Sequence, residues 1–263
     1  MPPYQQDDSH PESIDWDEFH PTSPYDTYAP RTPPRRKWSI LLGIVLYLIA
    51  QFGVSLLLPP LIIQAGVISS REVLSLTSGG FTAWTFWLLN VSNIVSIVLI
   101  VAAVVAFYRE PLSSLGLTTN KLPRALLFGV AGFVVAFVAA AVVGFPVEQL
   151  FGADPTQQAL SQTATEPGLL PIVLISGAII APIAEEIVFR GYLYKAFRDR
   201  FKPWYAIILS AALFSLIHLE WRAALQLFVI GVVLAYVYEE TGNLMAPITL
   251  HILNNAVSFL YFR

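Results

Sequence analysis

The 263 residues predict an all-α fold, a polytopic transmembrane helical bundle of about seven spans behind a disordered N-terminal tail. Three observations lead there. Hydrophobic residues make up 56% of the chain and charged ones only 13%, far from the balance of a water-soluble domain. The apolar residues gather in runs that suit a hydrocarbon core about 30 Å thick, which takes roughly 20 helical residues to cross. Trp38, Trp84, Trp87, Trp204 and Trp221 fall at the ends of those runs, where an amphipathic ring prefers the interface.

Residues 1–36 hold eight prolines and no apolar periodicity that offsets ordering entropy, so they read as a Pro-rich, acidic, disordered tail. Up to residue 37 seven acids stand against Arg31, Arg35, Arg36 and Lys37, so the formal charge of −3 resides there and the remainder is neutral. The tail does not read as a cleaved signal peptide, because its bases come late and the apolar run behind them is too long. The runs are Trp38–Leu58, Trp84–Phe107, Ala125–Val143, Leu169–Phe189, Trp204–His218, Ala223–Tyr238 and Met245–Phe262, with Leu61–Val67 after Pro60 a candidate eighth, partial segment. Residues 37–124 thus hold two N-terminal membrane helices and their loops. Residues 125–263 hold every ionisable group that lies deep in an apolar run.

Loop charge sets the expected orientation. With a cytoplasmic tail, eleven Lys and Arg residues fall on the cytoplasmic side and only Arg71, Arg222 and Arg263 on the other. The chain reads as a multi-pass protein of the cell membrane with its N-terminus inside. The connection Gly144–Gly168 reads as a long loop on the far side, with three acids and no base. Arg198–Lys202 reads as an anchor for anionic headgroups, making membrane lipids a partner. Gly129, Gly132 and Gly144 read as helix-packing positions. The absence of Cys excludes disulfides, thiolate nucleophiles and Cys-ligated metals. Nothing resembles the basic face that a nucleic-acid partner needs.

An ionisable side chain at the bilayer centre costs at least about 2.5–3.5 kcal/mol, so each one calls for a reason. Here they are Glu185, Glu186, Arg190, His218 and His251, joined by the amides Asn254 and Asn255. Glu186 and Arg190 stand four apart on one helix face, as an ion pair does, whereas Glu185 is rotated away from that pair and left free to act. Phe214 and His218, then His251 and Asn255, repeat the four-residue spacing. If the Arg198–Pro203 stretch is a turn between antiparallel helices, Glu185 and His218 lie at one height, roughly 24 Å above it, while His251 lies about 14 Å above its own turn at Thr241-Gly242. Tilt or protruding helix ends must absorb the difference. Pro182 and Pro247, just before Glu185 and His251, are candidates for bending their helices. No carboxylate is placed to orient either histidine while a serine sits beside it, which argues against a Ser/His/Asp triad. Asn254 reads as a packing amide, and Glu220, Glu239 and Glu240 as solvated loop charges.

Glu185-Glu186-xxx-Arg190, Phe214-xxx-His218 and His251-xxx-Asn255, in that order on separate apolar helices, resemble the three-motif signature of the CPBP family of intramembrane proteases. That family includes the CAAX prenyl endopeptidases and the bacterial Abi-type proteins. The resemblance spans roughly Ala125–Phe262. It implies a peptidase in which Glu185 and His218 activate a water while His251 and Asn255 stabilise the oxyanion, or one in which Glu185, His218 and His251 ligate a divalent metal. Both are chemically coherent. A carboxylate and an imidazole suit general-base chemistry, and imidazole and amide N–H groups suit an oxyanion site. Two histidines and a carboxylate also match a zinc hydrolase set, although Asn255 is a better oxyanion donor than zinc ligand, which favours a reading that needs no cofactor. The implied partner is a peptide, hydrophobic or lipid-modified. Rival readings are a non-catalytic immunity or scaffold protein and a proton-coupled carrier, since carboxylates and imidazoles also relay protons.

Overall fold

The computed structural model describes residues 37–67 and 81–261; the expected tail, Arg71 and Arg263 lie outside the described residues. Eight helices carry the fold: α1 Ile40–Gln64, α2 Ala83–Phe107, α3 Leu122–Phe151, α4 Pro155–Thr165, α5 Leu170–Arg198, α6 Pro203–Ile217, α7 Ala224–Thr241 and α8 Met245–Tyr261. The described residues contain no strand. Helices α1, α2, α3, α5 and α7 are long and apolar enough to cross a membrane, while α6 and α8 are apolar but shorter. Each predicted run therefore corresponds to one helix.

Local chemistry sets the helix ends. The Ser39 hydroxyl accepts from Leu42 N–H, and Thr82 and Thr85 form a reciprocal capping box. Pro155 and Pro203 occupy first positions, where no N–H is needed, and Gly242 closes α7 in the left-handed conformation.

Three expectations are corrected by the fold. Leu61–Val67 is no separate segment, because α1 continues through Pro59 and Pro60 to Gln64. With no water to take free backbone groups, helix remains the cheapest state across prolines in an apolar setting. Gly144–Gly168 is not a loop: α3 runs on through Pro146 to Phe151, and Asp154, whose carboxylate accepts from Thr156 N–H, starts α4. Pro247 does not bend α8, since it lies in the first turn, where its missing N–H leaves no carbonyl without a partner.

Helix α5 is the centre of the molecule. From Ile187 to Tyr194 every residue is buried. Trp38, Ile100, Val104, Leu115, Phe214, Tyr238 and Leu244 pack around it from six other stretches of chain. Both flanks of its short α-helical stretch Ala181–Glu186 are wound as π-helix, Leu174–Ile180 before and Ile187–Tyr194 after. Pro182 has no N–H to return to the preceding turn, and the widened turn stands directly before it. A second core joins α3, α7 and α8, with Gly129 and Gly132 of α3 against α8.

Candidate active site

Glu185, Glu186, Arg190 and His251 meet where α5 and α8 come together, with Phe214 of α6 packed against Arg190 and His251. Glu186, fully buried, accepts through one oxygen from Arg190 Nη1 at 2.9 Å and from His251 Nδ1 at 2.7 Å. Arg190, equally buried, donates from Nη2 to the Gly231 carbonyl of α7 at 3.3 Å and lies 4.5 Å from the centre of the Phe214 ring. That contact supplies a second stabilisation for the cation. The expected ion pair is present, and it has a third member, because Glu186 also accepts from His251. The i,i+4 spacing gave Glu186 one partner, and only the packing of α8 on α5 supplies the other.

Glu185 is in a different situation. Its carboxylate is 18% exposed and approaches His251 Nε2 at 3.8 Å, so His251 has one ring nitrogen held by Glu186 and the other facing Glu185. Glu185 and His251 therefore meet, and the height difference expected between them is taken up within the fold. The widened turn from Ile187 to Tyr194 packs more residues into the same length and brings Glu185 closer to the α5–α6 turn than an α-helix does.

His218 caps the end of α6 and is exposed. Its Nδ1 donates to the Phe214 carbonyl at 2.7 Å, which leaves Nε2 as the accepting nitrogen. The Phe214 ring lies edge-on to both imidazoles, 4.7 Å from His218 and 5.9 Å from His251 between ring centres. Asn255 donates to the Gly177 carbonyl in the first π-wound stretch at 2.9 Å, and Asn254 donates to Asn255 Oδ1 at 3.3 Å. Asn255 is thus fastened to α5.

Among the described residues no three His, Asp or Glu side chains are grouped to hold a metal ion. The Nδ1 atoms of His218 and His251 are held by Phe214 and Glu186, and Nε2 of His251 faces the Glu185 carboxylate.

Residues 167–257 match the family described as type II CAAX prenyl endopeptidase Rce1-like. This stretch contains Glu185, Glu186, Arg190, Phe214, His218, His251 and Asn255. The membrane-embedded CAAX protease MroQ of Staphylococcus aureus is 26% identical over 234 residues, covering 86% of this chain and 90% of that protein. Over residues 167–257 the chain is thus similar to proteases of the CPBP family. YdiL of Bacillus subtilis, named as a candidate membrane peptidase, is 24% identical over 136 residues, 52% of this chain and 56% of that protein. The chain thus spans little more than half the length of YdiL but most of MroQ. These matches carry the CAAX-protease description rather than the Abi-type one. No solved structure matches the chain. With five helices long and apolar enough to cross a membrane, and membrane proteases among its relatives, it is a multi-pass membrane protein.

Two readings of charged residues change. Glu239 is not simply solvated, because it accepts from Arg198 at 3.0 Å and from the Tyr194 hydroxyl at 2.7 Å. Arg200 and Asp199, read as part of a lipid anchor and its turn, bind the Trp38 backbone. The sequence reading also missed polar residues of the N-terminal half, Gln51, Asn90, Asn93 and Ser96, which face the interior. Their signal was present: Asn90, Asn93 and Ser96 recur every three residues along one face of α2.

Proposed function

We propose that this protein is an intramembrane endopeptidase of the CPBP kind that cleaves a peptide bond in a hydrophobic or lipid-modified protein at the membrane. The observation that carries the reading is the His251 imidazole clamped between two carboxylates, Glu186 at 2.7 Å on Nδ1 and Glu185 at 3.8 Å from Nε2. Glu185, with His218 Nε2, takes the proton from a water that attacks the scissile carbonyl, forming the C–O bond. The charge that develops on the carbonyl oxygen is met by donors from His251 Nε2 and the Asn255 amide. Glu186 holds His251 at Nδ1 and so fixes the direction of Nε2. Collapse of the tetrahedral intermediate breaks the C–N bond, and the proton held by Glu185 and His218 passes to the leaving amine. Arg190 holds Glu186 and does not touch the reacting atoms.

The test uses purified protein in liposomes and two quenched fluorescent peptides, one ending in a farnesylated CAAX sequence and one in an unmodified hydrophobic segment. Wild-type protein is expected to cleave at least one. Glu185→Gln should lower the rate about 10²- to 10⁴-fold, the usual contribution of a general base. Equal rates for wild type and Glu185→Gln, or binding of both peptides without cleavage, would overturn the reading.

A further inference from the structure

Asn255 supplies one of the two donors that the proposed chemistry aims at the developing oxyanion, and it stands four residues beyond His251 on the same face of α8. A primary amide presents its oxygen as readily as its N–H groups once it turns over, so the donor must be fixed by its surroundings. Two contacts fix it. Asn255 Nδ2 donates to the Gly177 carbonyl of α5 at 2.9 Å, and Asn254 Nδ2 donates to Asn255 Oδ1 at 3.3 Å. A carbonyl only accepts, so Gly177 dictates which end of the Asn255 amide carries the nitrogen. The oxygen then lies on the other side and needs a donor, and Asn254 is that donor.

The Gly177 carbonyl is open to Asn255 because the winding of α5 leaves it so. After the π-wound stretch Leu174–Ile180 the N–H of Ala181, four residues on, bonds the Ser176 carbonyl instead. Pro182, five residues on, has no N–H. The missing side chain at Gly177 also lets α8 approach, since a Cβ there would stand 2.8 Å from the Phe259 ring. Asn254, for its part, is buried and makes no other side-chain hydrogen bond among the described residues. Adjacent residues of a helix point about 100° apart and do not ordinarily face each other, so the contact between Asn254 and Asn255 is not a by-product of helix geometry. The second N–H of the Asn255 amide has no partner among the described residues and is left for a substrate.

Resting on the peptidase reading above, we infer that Asn254 is a positioning residue: with the Gly177 carbonyl that Pro182 leaves open, it holds the Asn255 amide so that its second N–H meets the oxyanion. Asn254→Leu keeps the size of the side chain and removes the donor, whereas Asn254→Gln keeps the donor on a longer stem. In the liposome cleavage assay Asn254→Leu should lower kcat about tenfold with KM unchanged, short of the roughly 10²- to 10³-fold loss that follows outright removal of an oxyanion donor. Asn254→Gln should restore most of the rate. A residue that only packs gives the reverse order, because leucine fills the space and glutamine overfills it. A second measurement involves no substrate. Isotope labelling of the six asparagines lets NMR in micelles follow their side-chain amides, with Asn255 assigned by its loss in Asn255→Leu. Exchange of the Asn255 amide protons with D2O should be about tenfold faster in Asn254→Leu than in the wild type. If that variant fails to fold, Asn254→Ala takes its place. Pro182→Ala, which returns to α5 an N–H able to take the Gly177 carbonyl, should speed the exchange as well. Wild-type kcat in Asn254→Leu, or exchange at Asn255 indifferent to residue 254, would overturn the positioning role, and exchange unchanged by Pro182→Ala would overturn the part given to the open carbonyl. If neither peptide is cut by the wild type, the peptidase reading fails alone, and exchange still decides whether Asn254 holds Asn255.

Discussion

Glu185 and Glu186 are adjacent in sequence and opposite in situation. Glu186 is wholly buried between a guanidinium and an imidazole, whereas Glu185 keeps contact with the outside of its pocket. Removing one partner of a buried pair leaves the other charge uncompensated, which costs about 3–5 kcal/mol. Glu186→Ala is therefore expected to destabilise the protein by about that amount, measured by denaturant titration in mixed micelles. Glu185→Gln is expected to change stability by less than about 1 kcal/mol. Replacing both members of the pair, Glu186→Leu with Arg190→Met, should recover most of the loss, because the desolvation of both charges goes with them. A Glu186→Ala variant as stable as Glu185→Gln would contradict the assignment of Glu186 as the structural carboxylate. The sequence distinguishes the two residues by helical phase alone, which pairs Glu186 with Arg190. It does not reveal that His251 completes the group, since that depends on the depth at which α8 meets α5.

Among the elements, α3 meets its neighbours through small residues. Its buried positions are Ala125, Gly129, Gly132, Ala136, Ala140 and Gly144. A Cβ added at Gly129 would stand 2.7 Å from the Ala246 carbonyl oxygen, and one at Gly132 would stand 2.8 Å from Leu250 Cδ1. Backbone does not move aside as a flexible side chain does, so Gly129→Ala should cost about 1–3 kcal/mol by forcing α3 and α8 apart. Val130→Ala, at a half-exposed neighbour facing outward, should stay within about 0.5 kcal/mol in the same denaturant titration. The seven apolar runs were legible because length and hydropathy are properties of a single helix. Helix α4 was not, since it is polar and its start, Asp154-Pro155, is a signal of capping rather than hydropathy. The π-wound stretches of α5 were also illegible: apart from Pro182, no residue in Leu174–Tyr194 announces them, and they arise where α5 accommodates its many neighbours.

Across the whole molecule, one residue closes the end of the bundle where α1 begins. Hydropathy places Trp38 at a membrane boundary beside four other tryptophans, yet it is fully buried while Trp204 and Trp221 are 65% and 60% exposed. A position at the end of an apolar run describes both an interfacial ring and a ring folded inward, and only the surrounding partners separate them. The Trp38 backbone N–H donates to Asp199 and its carbonyl accepts from Arg200, so the chain just before α1 is bound to the turn after α5. Its indole N–H donates to Glu110 beyond α2, and its ring stacks on Tyr192 at 5.0 Å. The Tyr192 hydroxyl in turn donates to the Ser39 carbonyl, and Ser39 N–H donates to Tyr108. Tyr192 belongs to the same π-wound stretch as Arg190, so the knot at Trp38 also braces the helix that presents both glutamates. Trp38→Ala should therefore cost about 3–5 kcal/mol, the range for emptying a buried aromatic site. Trp204→Ala and Trp221→Ala should each cost less than about 1 kcal/mol. Thermal melts of the three variants in one detergent separate these cases, and a Trp38→Ala melt that coincides with that of Trp204→Ala would mean that this end of the bundle is held by lipid rather than by its own residues.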